Sequence, residues 1–175
     1  QILDANEYLK EFLKGSLKEN DICLSFDDAL KCQYDVAIPV LNERNISAFF
    51  FVYSSAFSDN PDYLEIYRLF RTKCFQNVTD FYQKFFEIVK NINKNNYIIE
   101  KKIFFSINYL KNFPFYTEDD KWFRYLRDNY LGNIQYNLIM NQMMLEKQFD
   151  ISSAKDNLWM NENNLKEIHY QGHVI

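Results

Sequence analysis

The chain has 175 residues, a formal net charge of −4 and 47% hydrophobic residues. At this length roughly 70% of the unfolded surface can be buried, enough for one domain or one domain with an insertion. The acidic balance leaves no basic surface to neutralise phosphates, which argues against nucleic acid as a partner. The longest apolar run, 48–53, is far shorter than the ~20 residues of a membrane-spanning helix, so no transmembrane segment is expected.

The cysteines and the first residues exclude two further classes. Cys23, Cys32 and Cys74 form no C-x-x-C pair, and one thiol would be left over if two were bridged. Neither a disulfide framework nor a zinc finger is therefore predicted. No signal peptide is recognisable after Gln1, and the sequence assigns no compartment.

Two short apolar runs, 22–26 and 46–53, are rich in branched and aromatic residues and predict buried parallel strands. A helix is predicted between them and should end at Asn45. Pro39 predicts that this helix starts late or is kinked. The result is a βαβ unit with a right-handed crossover. The residues at helical spacing are Leu30, Tyr34, Ala37, Ile38 and Leu41.

Residues 57–157 have helical periodicity, and their aromatic stripes are typical of a core rather than of a ligand site. The breaks at Pro114 and Gly132 divide them into four or five predicted helices. One stripe consists of Val78, Phe81, Phe85, Ile88 and Ile92, and others cover 98–110, 122–131 and 134–149.

A last helix is predicted from about Asn161 to Gln171, with Leu165 and Ile168 packed inward. Gly172 should end this helix, because glycine is the residue best suited to a left-handed C-cap. Residues 173–175 would then begin another strand.

Asp27 and Asp28 follow the first predicted strand at its carboxyl end, where parallel α/β sheets place reactive groups. Adjacent carboxylates repel each other unless a cation offsets their charge, so a divalent metal is a natural partner. The simpler interpretation is that one of them caps the following helix, since Asp is a common N-cap residue. The Asp-x-Asp pattern of phosphatases does not apply, because no residue separates the two.

Residues 24–28, Leu-Ser-Phe-Asp-Asp, resemble the first motif of polysaccharide deacetylases, which form carbohydrate esterase family 4, the NodB-homology domain. The family's usual Gly after the Asp pair is Ala29 here, which predicts a negative φ and a different turn. The resemblance covers 21–54 and 159–175 and leaves the helical block unmatched. It rests further on Gln33-Tyr34-Asp35, Pro39-Val40-Leu41, Ala48-Phe49-Phe50-Phe51-Val52, Trp159, Leu165, Ile168, Gln171, Gly172, His173 and Ile175.

The resemblance implies an α/β fold: the βαβ start of a deformed (β/α) barrel, often with seven strands, carrying a mostly α-helical insertion. Residues 1–56 would form the first part of the barrel and 57–157 the insertion. Residues 158–175 would continue the barrel and stop before the family's second motif.

The implied activity is removal of acetyl groups from a polysaccharide or glycan by a metal-dependent hydrolase acting on amide or ester bonds. Asp28 would bind a divalent metal, zinc or a similar ion, and Asp27 would be the general base. The remaining ligands, two histidines of a His-Ser/Thr-x-x-x-His motif, are expected beyond Ile175. The chain by itself is therefore not expected to be a competent enzyme.

Some alternatives stay open at this level. His169 and His173 are four residues apart and could share a metal on a helix. The resemblance instead implies that His173 is structural, and His169 is expected at the surface. The chain could also be a non-catalytic scaffold whose insertion binds a protein or sugar partner, or restricts access as a lid. Its strands could require the missing C-terminal part or another chain as a partner.

Overall fold

The computed structural model describes residues 1–58 and 61–175 and divides the chain into two compact units. The first unit comprises Gln1–Ile66 with Ile151–Ile175, and the second comprises Tyr67–Asp150. Contacts between residues define a compact unit, whereas an insertion is recognised by comparison with related proteins. The insertion predicted at 57–157 therefore stays a prediction.

Most of the described residues are helical. In chain order the elements are α1 (Ala5–Lys14), β1 (Ser25–Asp27), α2 (Ile38–Glu43), β2 (Phe49–Phe51), α3 (Leu64–Cys74), α4 (Val78–Ile92), α5 (Lys94–Ile107), α6 (Glu118–Tyr125), α7 (Gly132–Glu146), α8 (Ile151–Leu158) and α9 (Glu162–Tyr170). No helix among the described residues is long and apolar enough to cross a membrane.

The first unit contains the predicted pair of parallel strands, although both are shorter than the apolar runs that predicted them. Ser25 pairs with Phe49 and Asp27 with Phe51 in the β1–β2 register. Val174 adds a third, parallel partner beside β2: its N–H donates to the Ala48 carbonyl over 3.1 Å. The predicted start of a strand at 173–175 is thereby confirmed. A closed barrel is not formed by the described residues and stays a prediction.

The connection between the strands follows the constraint that Pro39 imposes. The helical stretch begins at Lys31 and contains a π-helical turn, Gln33–Ala37, directly before α2, with Pro39 in the first turn of α2. The helix therefore does not start late, one of the two predicted outcomes, and the irregularity beside Pro39 is the π-helical turn that precedes it. After α2 the backbone of Asn45 has a φ of 52°, the left-handed conformation predicted to end the helix there.

One face of the sheet packs on helices and the other is largely open. Phe26 and Phe50 stack with their ring centroids 4.9 Å apart on the helix side. Side chains alternate along a strand, so Ser25, Asp27 and Phe51 lie on the opposite face, where all three are exposed. The core on the helix side consists of Ala29, Ile38, Leu41, Ala48, Phe50, Met160 and Ile168.

The last helix, α9, forms as predicted. Its N-cap Asn161 accepts a hydrogen bond from the backbone N–H of Asn164, whose side chain bonds back to Asn161. Ile168 is fully buried, and Gly172 adopts a φ of 92° just past the helix. Only glycine takes this conformation without steric cost, so the chain turns there into the strand at Val174.

The second unit has an aromatic core of its own. Phe85 of α4 contacts Phe123 of α6 edge-to-face at 4.9 Å, and Tyr136 of α7 closes on Phe123 at 6.2 Å. Helix α5 joins the same core, because the Trp122 indole N–H of α6 donates to the Tyr97 hydroxyl of α5 over 3.1 Å. The expectation that the aromatic stripes form core is therefore confirmed for this unit.

The predicted number of helices between 57 and 157 was wrong. The described residues of this range contain six α-helices, α3 to α8, where four or five were predicted. The stripe on α4 also differs at its ends, since Val78 and Ile92 are exposed while Phe81 and Phe85 are buried. In α8 the side chain buried is Ala154, which is too small to produce a periodic signal.

A pair of phenylalanines in the second unit tests this core. Phe85 is fully buried, and its replacement by Ala should lower the free energy of unfolding by about 3–5 kcal/mol because a large cavity forms. Phe115 is 70% exposed, so Phe115→Ala should change it by less than about 0.5 kcal/mol. Urea unfolding followed by circular dichroism measures both. Equal effects of the two substitutions would contradict the assignment of Phe85 to the core.

Candidate functional site

Asp27 and Asp28 lie together at the carboxyl end of β1. Asp27 is the last residue of the strand, and the Asp28 N–H donates to the Phe51 carbonyl of β2 over 3.0 Å. The Asp27 side chain is exposed and that of Asp28 is half-buried. Neither carboxylate has a hydrogen-bond or ion-pair partner among the described residues, so both remain free to bind a ligand.

The turn after β1 is left-handed at two successive residues. The φ angles are 73° at Asp28 and 53° at Ala29, and neither residue is glycine. The expectation of a negative φ at Ala29 was therefore wrong: the turn keeps the conformation that a glycine would allow. The left-handed conformation costs a residue with a Cβ about 1–2 kcal/mol, so the surrounding structure must hold it.

Two hydrogen bonds hold the turn on the side of the strand and the crossover. One is the bond from Asp28 to Phe51, and the other joins the Gln33 side-chain amide to the Asp27 carbonyl. Gln33 is itself fixed, because its backbone N–H donates to the Leu30 carbonyl over 2.9 Å. The backbone on both sides of the Asp27–Asp28 peptide is thus anchored within the βαβ unit.

A segment distant in sequence holds the other side of the turn. The Met160 N–H donates to the Ala29 carbonyl over 2.8 Å, and Trp159 pairs with Leu30 in an antiparallel bridge. Ala29 is almost fully buried at this point. Residues 159–160 therefore clamp the turn onto the first unit, which explains how a non-glycine residue is kept left-handed there.

The interpretation of the Asp pair as a helix cap was wrong. The helical stretch that follows begins at Lys31, and neither carboxylate accepts a hydrogen bond from a backbone N–H among the described residues. Asp27 and Asp28 lie earlier, on the strand and in the turn. Their carboxylates therefore do not serve the following helix.

The two histidines take no part in the acidic turn. His173 is 2% exposed, its Nδ1 accepts the Ala48 N–H over 3.0 Å, and its ring meets Phe50 edge-on at 5.3 Å. It lies on the helix side of the sheet, because the next residue, Val174, pairs with Phe49 on the other side. His169 is exposed on α9, as predicted. The alternative of a metal shared by the two histidines is not supported.

A metal at this turn would find only part of its ligand set. Carboxylate oxygens suit divalent cations, and Asp27 and Asp28 offer two such groups. Among the described residues, however, no three His, Cys, Asp or Glu side chains come together. The residues present therefore do not fit a complete metal site, and any metal would need ligands from elsewhere.

Sequence reasoning found the Asp pair but not the residues that support it. Gln33, Trp159 and Met160 reach the turn through hydrogen bonds or a strand bridge. No local pattern signals this role, because Met160 is separated from Ala29 by most of the chain. Gln33 and Trp159 entered the sequence comparison only as positions that resemble the family.

Parallel strands joined by a helical crossover, with acidic residues at their carboxyl end, place the first unit in the α/β class. The family model for polysaccharide deacetylase matches residues 14–110, more than half of the chain. The chain belongs to the polysaccharide deacetylase family. The match extends into helices that the sequence resemblance had left out, whereas 159–175 lies outside it. No curated protein and no solved structure matches the chain.

Substitutions at Ala29 test the left-handed turn. Ala29→Gly removes the conformational cost of about 1–2 kcal/mol but also a buried methyl worth about 0.8 kcal/mol, so stability should change by less than about 1 kcal/mol. Ala29→Val adds a β-branched side chain to a left-handed, buried position and should cost about 3 kcal/mol or more. The free energy of unfolding in urea measures both.

The control for packing alone is Ala154→Val, at an alanine that is also buried but lies within helix α8. It should cost distinctly less than Ala29→Val. If the two valine substitutions cost the same, the backbone conformation of the turn contributes nothing measurable.

A second experiment tests the burial of His173. Burial lowers the pKa of the His173 imidazole, so the unfolded chain binds more protons than the folded one just below the ordinary histidine pKa of about 6.5. The resulting stability is complete above about pH 6.5 and is lost as the pH falls below it.

His173→Asn keeps an acceptor near the Nδ1 position and removes the titrating ring. Between about pH 7.5 and about pH 5.5 its unfolding free energy should fall less than that of the parent chain. His169→Asn, at the exposed histidine, should leave the parent pH dependence intact. An identical pH dependence in the parent and in His173→Asn would contradict the assignment.

Proposed function

We propose that this chain forms part of a metal-dependent hydrolase that removes acetyl groups from a polysaccharide or glycan. Its family membership supports a deacetylase-like activity on amide or ester bonds. The observation that carries the proposal furthest is the Asp27–Asp28 turn. There, two carboxylates without partners are held at the carboxyl ends of parallel strands by a backbone that is conformationally costly. Such costs persist where the surrounding structure is built to maintain them, often at functional sites.

In this proposal the two carboxylates have different roles. Asp28 would bind a divalent ion, and zinc matches a set of this carboxylate and further nitrogen or oxygen ligands from elsewhere. When bound, the ion supplies Lewis acidity to the acetyl carbonyl. Asp27 accepts a proton from the water that attacks this carbonyl. The bond from the acetyl carbon to the sugar nitrogen or oxygen then breaks, and the proton held by Asp27 passes to that nitrogen or oxygen. The sugar keeps an amine or a hydroxyl, and acetic acid leaves and ionises to acetate.

The environment of Asp27 suits a general base. Its side chain lies on the open face of the sheet and carries no ion pair among the described residues, so a proton on it displaces no existing interaction. Its backbone carbonyl accepts a hydrogen bond from the Gln33 side chain, which fixes the backbone from which the carboxylate projects. Positioning of this kind is a principal source of general-base efficiency.

The test is release of acetate from acetylated sugar oligomers by the full-length protein, measured with zinc present. Asp28→Ala should abolish release, and Asp27→Asn should lower the rate by roughly 100-fold or more. Asp156→Asn, at an exposed carboxylate of α8, is the matched control and should leave the rate unchanged. Residues Gln1–Ile175 alone should release no acetate.

An unchanged rate in Asp28→Ala would rule out its role as a ligand. A folded full-length protein that releases no acetate and binds no zinc in calorimetric titration would contradict the hydrolase and favour a non-catalytic scaffold. Zinc binding that is lost in Asp28→Ala, without acetate release, would retain the metal site but reject the acetylated oligomers as substrates.

A further inference from the structure

Helix α7 has two apolar faces, and only one of them is used within the second unit. The inner face buries Tyr136, Ile139, Met140, Met143 and Met144. The outer face carries Ile134, Leu138 and Leu145, which are 81%, 58% and 81% exposed. An amphipathic surface helix normally presents charged and polar side chains on that side.

The outer face of α7 also lacks charge. No Asp, Glu, Lys, Arg or His occurs from Asn129 to Leu145, although a quarter of all residues in the chain are charged. The exposed polar residues on this face are the amides Asn133, Asn137, Asn141 and Gln142. On α5, by contrast, the exposed Ile99 and Ile103 are separated by Glu100, Lys101 and Lys102. The α5 surface around Ile99 is thus interrupted by charged residues, whereas that of α7 is not.

The spacing on the outer face is that of a short coiled-coil seam. Ile134, Leu138, Asn141 and Leu145 follow one another at intervals of four, three and four residues, the a and d positions of two heptads. We propose that this seam, defined by these four residues, is the interface through which two copies of the chain pair by antiparallel contact of their α7 helices.

A second copy fits this seam for two reasons. Each copy has a net charge of −4, so two copies repel each other least where they meet at a surface without charge. The antiparallel arrangement is also self-complementary: Ile134 of one copy meets Leu145 of the other, and Leu138 meets Asn141. A two-fold axis thus uses the same patch on both copies. A buried asparagine at such a position is a known means of fixing register at some cost in stability.

The dimer should be weak. A stable protein interface buries roughly 800 Å² per partner, which three apolar side chains and their flanking amides on one four-turn helix do not reach. Dissociation in the micromolar range is therefore expected. Replacing Asn141 by Leu removes the polar residue from the seam and should tighten the association by roughly tenfold or more.

The experiment is analytical ultracentrifugation of the chain Gln1–Ile175 over a range of concentrations. The parent chain should show a monomer–dimer equilibrium, and Ile134→Glu or Leu145→Glu should make it monomeric. Both sites are so exposed that these substitutions should leave the fold intact, which far-ultraviolet circular dichroism checks. Ile99→Glu, at the exposed residue of α5, is the matched control and should dimerise like the parent.

A parent chain that stays monomeric at concentrations well above micromolar would overturn the proposal. So would a dimer that both seam variants leave intact, or one that Ile99→Glu disrupts as strongly as they do. Because the measurement needs no substrate or metal, its outcome is independent of the proposed hydrolase activity.

Discussion

The left-handed backbone at Asp28 and Ala29 is the constraint on which the candidate site depends. A short turn of this kind leaves the strand abruptly and keeps both carboxylates at its end, instead of letting the chain run directly into a helix. Its cost is offset by hydrogen bonds from three separate places: β2, the Gln33 side chain and Met160. Loss of the bond from Met160 would leave the carbonyl of the buried Ala29 unpaired, which costs more than the bond itself contributes. The turn is therefore a property of the folded first unit and not of its own five or six residues.

The alternation of side chains across the sheet separates chemistry from packing. Phe26, Phe50 and His173 lie on the side that packs against helices, and Asp27 and Phe51 lie on the open side. Because register fixes the face, a shift of β1 by one residue would bury Asp27 and expose Phe26. The apolar core on one side thus determines that the acidic residue emerges on the other. His173 is accordingly a packing residue, despite being a metal-ligand type close to the strands.

Local patterns predicted the elements whose signals are local. Two apolar runs predicted the parallel strands, Asn45 predicted the end of α2, and Gly172 predicted the end of α9. The backbone at Ala29 could not be predicted in this way, because the bond that holds it comes from Met160. Helix α8 was missed because its buried contact is an alanine. The number of strands in the sheet stays a prediction. Strand pairing joins residues that are far apart in the sequence, and the described residues show β1, β2 and the bridge at Val174.

The two units each have a core of their own, so the hydrolytic site and the α7 seam depend on different sets of contacts. Every hydrogen bond found to hold the Asp27–Asp28 turn comes from the first unit, through Phe51, Gln33 and Met160. The α7 seam belongs to the second unit, whose aromatic core is built from its own helices. Substitutions at sites that share no partner are generally additive in stability. Changes at the seam should therefore alter association without altering the turn, so that self-association and hydrolysis can be separated experimentally.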